Sequence, residues 1–400
     1  MATKCGLRVR PSTPNVRSPN AGPRRRRVAI ALAAATATCL LAASPALADP
    51  GSVYVDPNGN VAAGANFFNG SFTGDSNVGV GDPVMPDLTT GAENVAIGRL
   101  ALGNVTSGAD NTAVGHSALS ANTKGGDNVA VGASALRFNA TGNGNIALGL
   151  SALNANTTGG DNVATGSDAL SQNSTGNQNL ASGTDALFAN TTGGDNIATG
   201  FHALLRSTTG DDNIAAGTNA LSHSTTGNEN IALGTGALTN VNGADDNVAV
   251  GNHGLFADTA GHDNTGLGHG ALNSNTGGDQ NVAVGSGAGG NLTSGDDNVD
   301  IANAGQAGEA GTIRIGTQGQ QTRAFLQGVS GTSISGSTQR VFINPNGQLG
   351  TAKGTTHAGG AGADAVARLR AQNRRQGEQI AVQRKQIAAL QRDVAKLSRR

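Results

Sequence analysis

Carboxylates at a constant spacing are the residues of this chain that most invite chemistry. Asp110, Asp127, Asp161, Asp195, Asp212, Asp246, Asp263 and Asp297 are separated by multiples of 17 residues. Stacked at a strand spacing of about 4.8 Å they would repel one another, and a hard cation with oxygen ligands would relieve that repulsion. Asp110, Asp127, Asp195, Asp212, Asp246 and Asp263 are therefore the calcium candidates. Against them, Gly144, Gln178 and Gln280 interrupt the column, the nine-residue calcium-roll motif is absent, and solvent and salt screen exposed charge without a metal. His253, His262 and His269 lack metal-ligand spacing. Gly266-Leu267-Gly268-His269-Gly270 has no strand–helix–strand unit around it to make it a nucleotide loop. Thr157-Thr158, Thr191-Thr192 and Thr225-Thr226 could line an ice-binding face, but adjacent strand residues point opposite ways, so they read as turn residues. No nucleophile, base or cofactor constellation emerges, and the chain reads as a non-enzyme without a cofactor.

The element that positions the aspartates is a repeat. Asn77, Asn94, Asn111, Asn128, Asn145, Asn162, Asn179, Asn196, Asn213, Asn230, Asn247, Asn264, Asn281 and Asn298 recur every 17 residues without an insertion, which makes fourteen repeats. Counting each Asn as position zero, positions one and three are mostly Val, Ile or Leu, as in Val129/Val131 and Ile146/Leu148. That alternation predicts a short strand with one face inward, and columns of Val/Ile and of Leu inside the stack. Gly at position four ends the strand in twelve successive units, Gly98 to Gly285. Ser117, Ser134, Ser151, Asp168, Asp185 and Asn219 at position six precede Ala-Leu and read as N-caps of a short helical or 3₁₀ turn. An Asn at position eleven and a Gly at fourteen close the coil through left-handed dihedrals. The fold class is thus mainly β: a parallel solenoid of a β-roll or β-helix kind. The Asn column from Asn94 to Asn281 is expected to form a structural ladder of side-chain amides.

The flanks complete the organisation. Residues 49–76, with Val53, Val55 and Phe67-Phe68, read as an N-terminal cap, 77–302 as the solenoid and 303–352 as a β connector. In the connector, Thr312–Ile315, Ala324–Leu326 and Arg340–Ile343 read as strands and Asn344–Gly347 as a turn. A Gly-rich linker, 353–363, leads to heptads over 364–400. Their a positions are Val366, Asn373, Ile380, Ile387 and Val394; their d positions are Leu369, Gln376, Gln383, Leu390 and Leu397. Such a seam predicts a coiled coil that makes a homodimer or homotrimer, with Val366, Leu369, Asn373, Ile380, Ile387, Leu390, Val394 and Leu397 in contact and polar layers setting register.

Residues 1–48 read as a signal peptide. Eight basic residues and no acid precede the apolar stretch Val28–Ala43, and Ser44-Pro45-Ala46-Leu47-Ala48 supplies an A-x-A cleavage site. Both cysteines, Cys5 and Cys39, fall inside it, so the exported chain carries no thiol, as suits life outside the cell. Glycine contributes 62 residues, and aromatics are only 2% of the chain, which fits a thin repetitive core better than a globule built on large rings. Beyond residue 48 there remain 18 basic and 27 acidic residues, yet the tail from Asp364 holds ten basic and three acidic ones. An acidic body on a basic tail is the result. The tail offers docking to an anionic cell-envelope polymer, and its lack of aromatics argues against specific nucleic-acid reading.

Units such as Asn162-Val163-Ala164-Thr165-Gly166-Ser167-Asp168-Ala169-Leu170 resemble the head repeats of trimeric autotransporter adhesins of the YadA-like kind, and more closely those of bacterial and phage tail-fibre-like proteins. Gly308–Gly316, Thr322–Phe325 and Asn346–Gly350 resemble the connector of the latter group. The resemblance covers about residues 77–352 and implies adhesion and trimerisation. Neither a membrane-anchor barrel nor a chaperone-endopeptidase with a Ser/Lys dyad follows the connector in this sequence, so self-cleavage is not implied. The expectation is a secreted or cell-surface adhesin-like fibre, set against a degenerate relative of the self-processing fibres or a calcium-binding solenoid module.

Overall fold

The computed structural model describes residues 53–68, 72–326, 341–351 and 360–397. By contacts the chain divides into Met1–Leu47, which contains nearly all of the expected signal peptide and lies outside the described residues, and Ala48–Arg400. The second unit is a parallel β-solenoid. Sixteen three-residue strands, from Val61–Ala63 to Ile313–Ile315, stack in one sheet. Each pairs in parallel with the strand of the next coil, as Val129↔Ile146 and Val131↔Leu148 show. Sixteen strands make fifteen turns, a rod of about 70 Å at the usual strand spacing. The stack starts one coil before Asn77, because Asn60 already occupies position zero.

The strands face the opposite way from the sequence expectation. Position two points inward: Ala96, Ala113, Ala130, Ala147 and Ala164 are fully buried. The larger residues at positions one and three lie outward, with Val131 40% and Leu148 39% exposed. The reason is room. A coil of 17 residues encloses a narrow interior that is already filled by the position-eight leucines and two Asn columns, all fully buried. Only a methyl fits opposite them.

The expected helical turn is also absent. After the strand, Ala118 N–H donates to Gly115 O, and Asn122 N–H to Leu119 O, giving two successive tight turns. Ser117 and Leu119 between them have φ of 58° and 50°, a hand no right-handed helix permits. Left-handed Leu costs roughly 1–2 kcal/mol. Complete burial of each Leu returns about 1.5–3 kcal/mol, and Leu119 N–H donates to Ala135 O of the next coil. The Gly at position four has the dihedral no side chain would choose, φ +138° at Gly166, and packs against the carbonyl of Gly183. Position-eleven Asn and position-fourteen Gly are not left-handed. That Gly is required instead by close approach, since a Cβ on Gly142 would lie 2.3 Å from Gly159 O.

Val53–Val55 pairs antiparallel with Val61–Ala63 and covers the first edge of the stack. Tyr54, Phe67, Phe68 and Phe72 cluster there, with centroid separations of 4.9–6.2 Å. Val341–Ile343 and Leu349–Thr351 form a separate antiparallel hairpin around the turn at Asn344–Gly347. Ala324–Leu326 is not a strand; it is exposed and irregular. A helix spans Gly360–Leu397. On it Leu369, Asn373, Ile380 and Ile387 are exposed; the side chains of Val366, Leu390, Val394 and Leu397 lie outside the described residues. Among the described residues no helix is long and apolar enough to cross a membrane.

Candidate functional site

The Asn residues at position zero run through the buried interior as a continuous ladder. From Asn77 to Asn298, all but Asn247 donate from Nδ2 to Oδ1 of the preceding Asn at 2.9–3.2 Å. Asn247 receives the ladder through its backbone N–H, which donates to Asn230 Oδ1. The same Nδ2 groups donate to a backbone carbonyl of the next coil, a glycine's in most coils, as Asn162 does to Gly176 O at 2.9 Å, and that of Ala244 or Glu309 at Asn230 and Asn298. Every amide is thus saturated in the core and presents nothing to a ligand.

Two further ladders escaped sequence reading. At position eleven, Asn122, Asn139, Asn156, Asn173 and Asn190 are buried and linked from Nδ2 to Oδ1 at 2.7–3.1 Å. At position fifteen, Asp211, Asn228, Asp245, His262, Asp279 and Asp296 accept the backbone N–H of the coil before. The available signal was chemical: from Asp211 to Asp296 position fifteen is Asn, Asp or His, which share an acceptor rather than a charge.

The calcium candidates Asp110, Asp127, Asp195, Asp212, Asp246 and Asp263 are all exposed, with φ between 56° and 61°. Aspartate tolerates this left-handed turn better than most side chains, which accounts for the column without a ligand. Among the described residues no group of three or more His, Cys, Asp or Glu converges to hold a metal ion. His253 and His269 lie with ring centroids 6.3 Å apart, while His262 belongs to the position-fifteen ladder.

Two acids are buried where the repeat has a neutral residue. Asp258 replaces the position-eleven Asn. Its Oδ1 accepts Gly261 N–H at 2.8 Å, and its buried Oδ2 has no partner. In the next coil Asn275 fills the same role completely, donating to Gly278 O as well as accepting its N–H. Burial pushes the Asp258 carboxyl up to about 6, against the opposing pull of the Gly261 N–H. A protonated carboxyl can supply the donor that Asn supplies. Asp300 replaces the position-two Ala, with both oxygens buried and unpartnered. It pairs in register with Arg314, whose guanidinium is bound to Glu309 at 2.6 Å. Burial, then the Glu309 charge, pushes Asp300 up to about 6, with Arg314 opposing.

The sign of the pH effect follows. An acid whose folded pKa lies above its unfolded value contributes stability that is complete below the unfolded pKa and is lost as pH rises through the folded one. Both groups therefore weaken the fold between about pH 4 and about pH 6. Asp258→Asn is expected to raise the urea midpoint at pH 7, by up to about 3 kcal/mol of stability, and to change little at pH 4. An equal gain at both pH values would show that titration of Asp258 is not the cause.

Among the described residues the outward face of the strands is a long surface feature. Positions one and three form two parallel columns of Val, Ile and Leu along the rod, among them Ile97, Ile146, Leu180, Ile197 and Val250, each 37–39% exposed. Comparison with family models, with curated proteins and with solved structures finds no match.

Proposed function

We propose that the chain is an exported structural fibre of the cell surface or its surroundings, adhesin-like in build, that works by self-association rather than by catalysis. The observation that carries this reading is the uncovered apolar stripe. An exposed patch of this length on a soluble rod marks a contact surface. The helix adds a second contact, since its heptad residues Leu369, Ile380 and Ile387 have no partner within the described chain and are at least half exposed. Pairing them in a dimeric or trimeric coiled coil would bury them. The saturated Asn ladders support a scaffolding role for the interior. The ten basic residues of the tail add attraction to an anionic envelope polymer, which rising salt weakens as the Debye length shortens.

The test is solution mass by light scattering. Deleting residues 364–400 is expected to lower the mass of the assembly about two-fold or more, as loss of a dimeric or higher coiled coil requires. An unchanged mass would remove the helix from the assembly.

A further inference from the structure

The outward stripe reads nearly the same from either end. Across the sixteen strands only two have Thr at the first position, Thr112 and Thr265, and these lie fourth from the N-terminal end and fourth from the C-terminal end. Four consecutive strands carry a small or hydroxyl third residue, Thr165, Ser182, Thr199 and Ala216, and these are the seventh to tenth strands, the middle of the stack. Between these marks the bulk is mirrored too. Val129/Val131 corresponds to Val248/Val250, and Ile146/Leu148 to Ile231/Leu233. The mirror loosens at the extreme strands, where Val61/Ala63 corresponds to Ile313/Ile315.

Such a pattern is what a two-fold contact between identical stripes demands, since each residue pair occurs twice with the copies exchanged. We infer that two copies of this chain pack stripe to stripe in antiparallel orientation, with the dyad crossing the rod midway between Ser182 and Thr199. This rests on the reading that the stripe contacts another copy, and adds its direction and register. The geometry distinguishes orientations. When the rods run antiparallel, the dyad lies across them, and first-position residues face first-position residues. Thr112 then meets Thr265 of the second copy, and Ser182 meets Thr199, hydroxyl against hydroxyl. In a parallel two-fold pair the dyad runs along the rods and the columns exchange. Thr112 would then face Val114, Ser182 Leu180 and Thr199 Ile197, burying hydroxyls against aliphatic groups with no hydrogen-bond partner. A slip by one coil in the antiparallel pair sets Thr112 against Val282 or Val248, so Thr112 and Thr265 also set register. The stripe is adequate in size: about 70 Å long and about 10 Å wide gives roughly 700 Å² per copy, near the ~800 Å² per partner of a standard stable interface. Antiparallel pairing also leaves the C-terminal end of a solenoid at each end of the pair. Helix association there would join pairs lengthwise into an open fibre.

Cysteine cross-linking of the full chain tests this in a background with Cys5→Ser and Cys39→Ser, which removes both native thiols. Thr112→Cys and Thr265→Cys are made as separate proteins and treated with a short bis-maleimide, alone and as an equimolar mixture. The expected result is a covalent dimer in the mixture at least about ten-fold more abundant than in either protein alone. Facing residues on sheets packed about 10 Å apart exceed the Cα separation a disulfide bridges but lie within the span of a short bis-maleimide, whereas two copies of Thr112 would be nine coils, about 43 Å, apart. Self-cross-linking of Thr112→Cys alone would overturn the antiparallel orientation and leave stripe contact standing, in a parallel pair or trimer. Absence of any cross-link also overturns it. In that case Val131→Lys with Val250→Lys separates the two readings: a fall in solution mass keeps the stripe as a contact surface, and an unchanged mass removes that reading too.

Discussion

Gly166→Ala is expected to destabilise the solenoid by about 4 kcal/mol or more, at the extreme of single substitutions. Two effects combine at this position. The residue has φ +138°, and a Cβ there would lie 2.5 Å from Gly183 O and 2.6 Å from its carbonyl carbon. Backbone in such a region costs about 1–3 kcal/mol for a residue with a side chain. The collision adds to it, because the atoms struck are main chain and move only if the next coil shifts. That coil is held by the strand pair Val163↔Leu180 and by the Asn162–Asn179 bond, so the strain spreads along the stack. Stability in a solenoid is a sum over coils and the interfaces between them. Weakening one central interface is therefore expected to split a single urea transition into two. Gly277→Ala is the control: nothing lies within 4 Å of its Cβ position, and a change within about 0.5 kcal/mol is expected. Similar urea curves for the two variants would show that the coils do not stack as tightly as the glycine column requires.

Asn162→Ala is expected to cost about 4 kcal/mol. The side chain accepts from Asn179 N–H at 3.0 Å and from Asn179 Nδ2 at 3.1 Å, and it donates to Asn145 Oδ1 at 3.0 Å and Gly176 O at 2.9 Å. Its removal leaves Asn179 N–H inside the rod without an acceptor, an arrangement that costs about 1–3 kcal/mol by itself. Asn162→Asp separates the two halves of the role. It keeps the acceptor but sets a carboxylate against Asn145 Oδ1 and Gly176 O. It is expected to be destabilised at pH 7 and to recover in part at pH 4, where the carboxyl can donate. The measurement is the urea midpoint of each variant at both pH values. A loss below about 1 kcal/mol for Asn162→Ala, the net worth of one ordinary hydrogen bond, would mean that the ladder tolerates a gap.

Much of this architecture is legible in the chain alone because its period is exact. A 17-residue repeat without insertions puts like residues above like, so the position-zero Asn column and the strand at positions one to three follow from periodicity and side-chain chemistry. Helix Gly360–Leu397 was readable in the same way, from the heptads over residues 364–400. Local patterning could not say which face of the strand is inside. Val129-Ala130-Val131 alternates large and small, and a period of two is satisfied whichever set turns inward. Only the closed coil decides, because its interior has to hold Leu136, Asn128 and Asn139 together, and the volume left over fits the Ala130 methyl and not two valines. The turn after the strand is a similar case. Ser134-Ala135-Leu136 has the composition of a capped helix start, yet Ser134 and Leu136 have φ of 59° and 49°. Hydrogen bonding to the next coil outweighs local preference there, since Leu136 N–H finds its acceptor at Ala152 O, 2.9 Å away. That acceptor lies sixteen residues further along the chain and becomes a neighbour only when the coils stack.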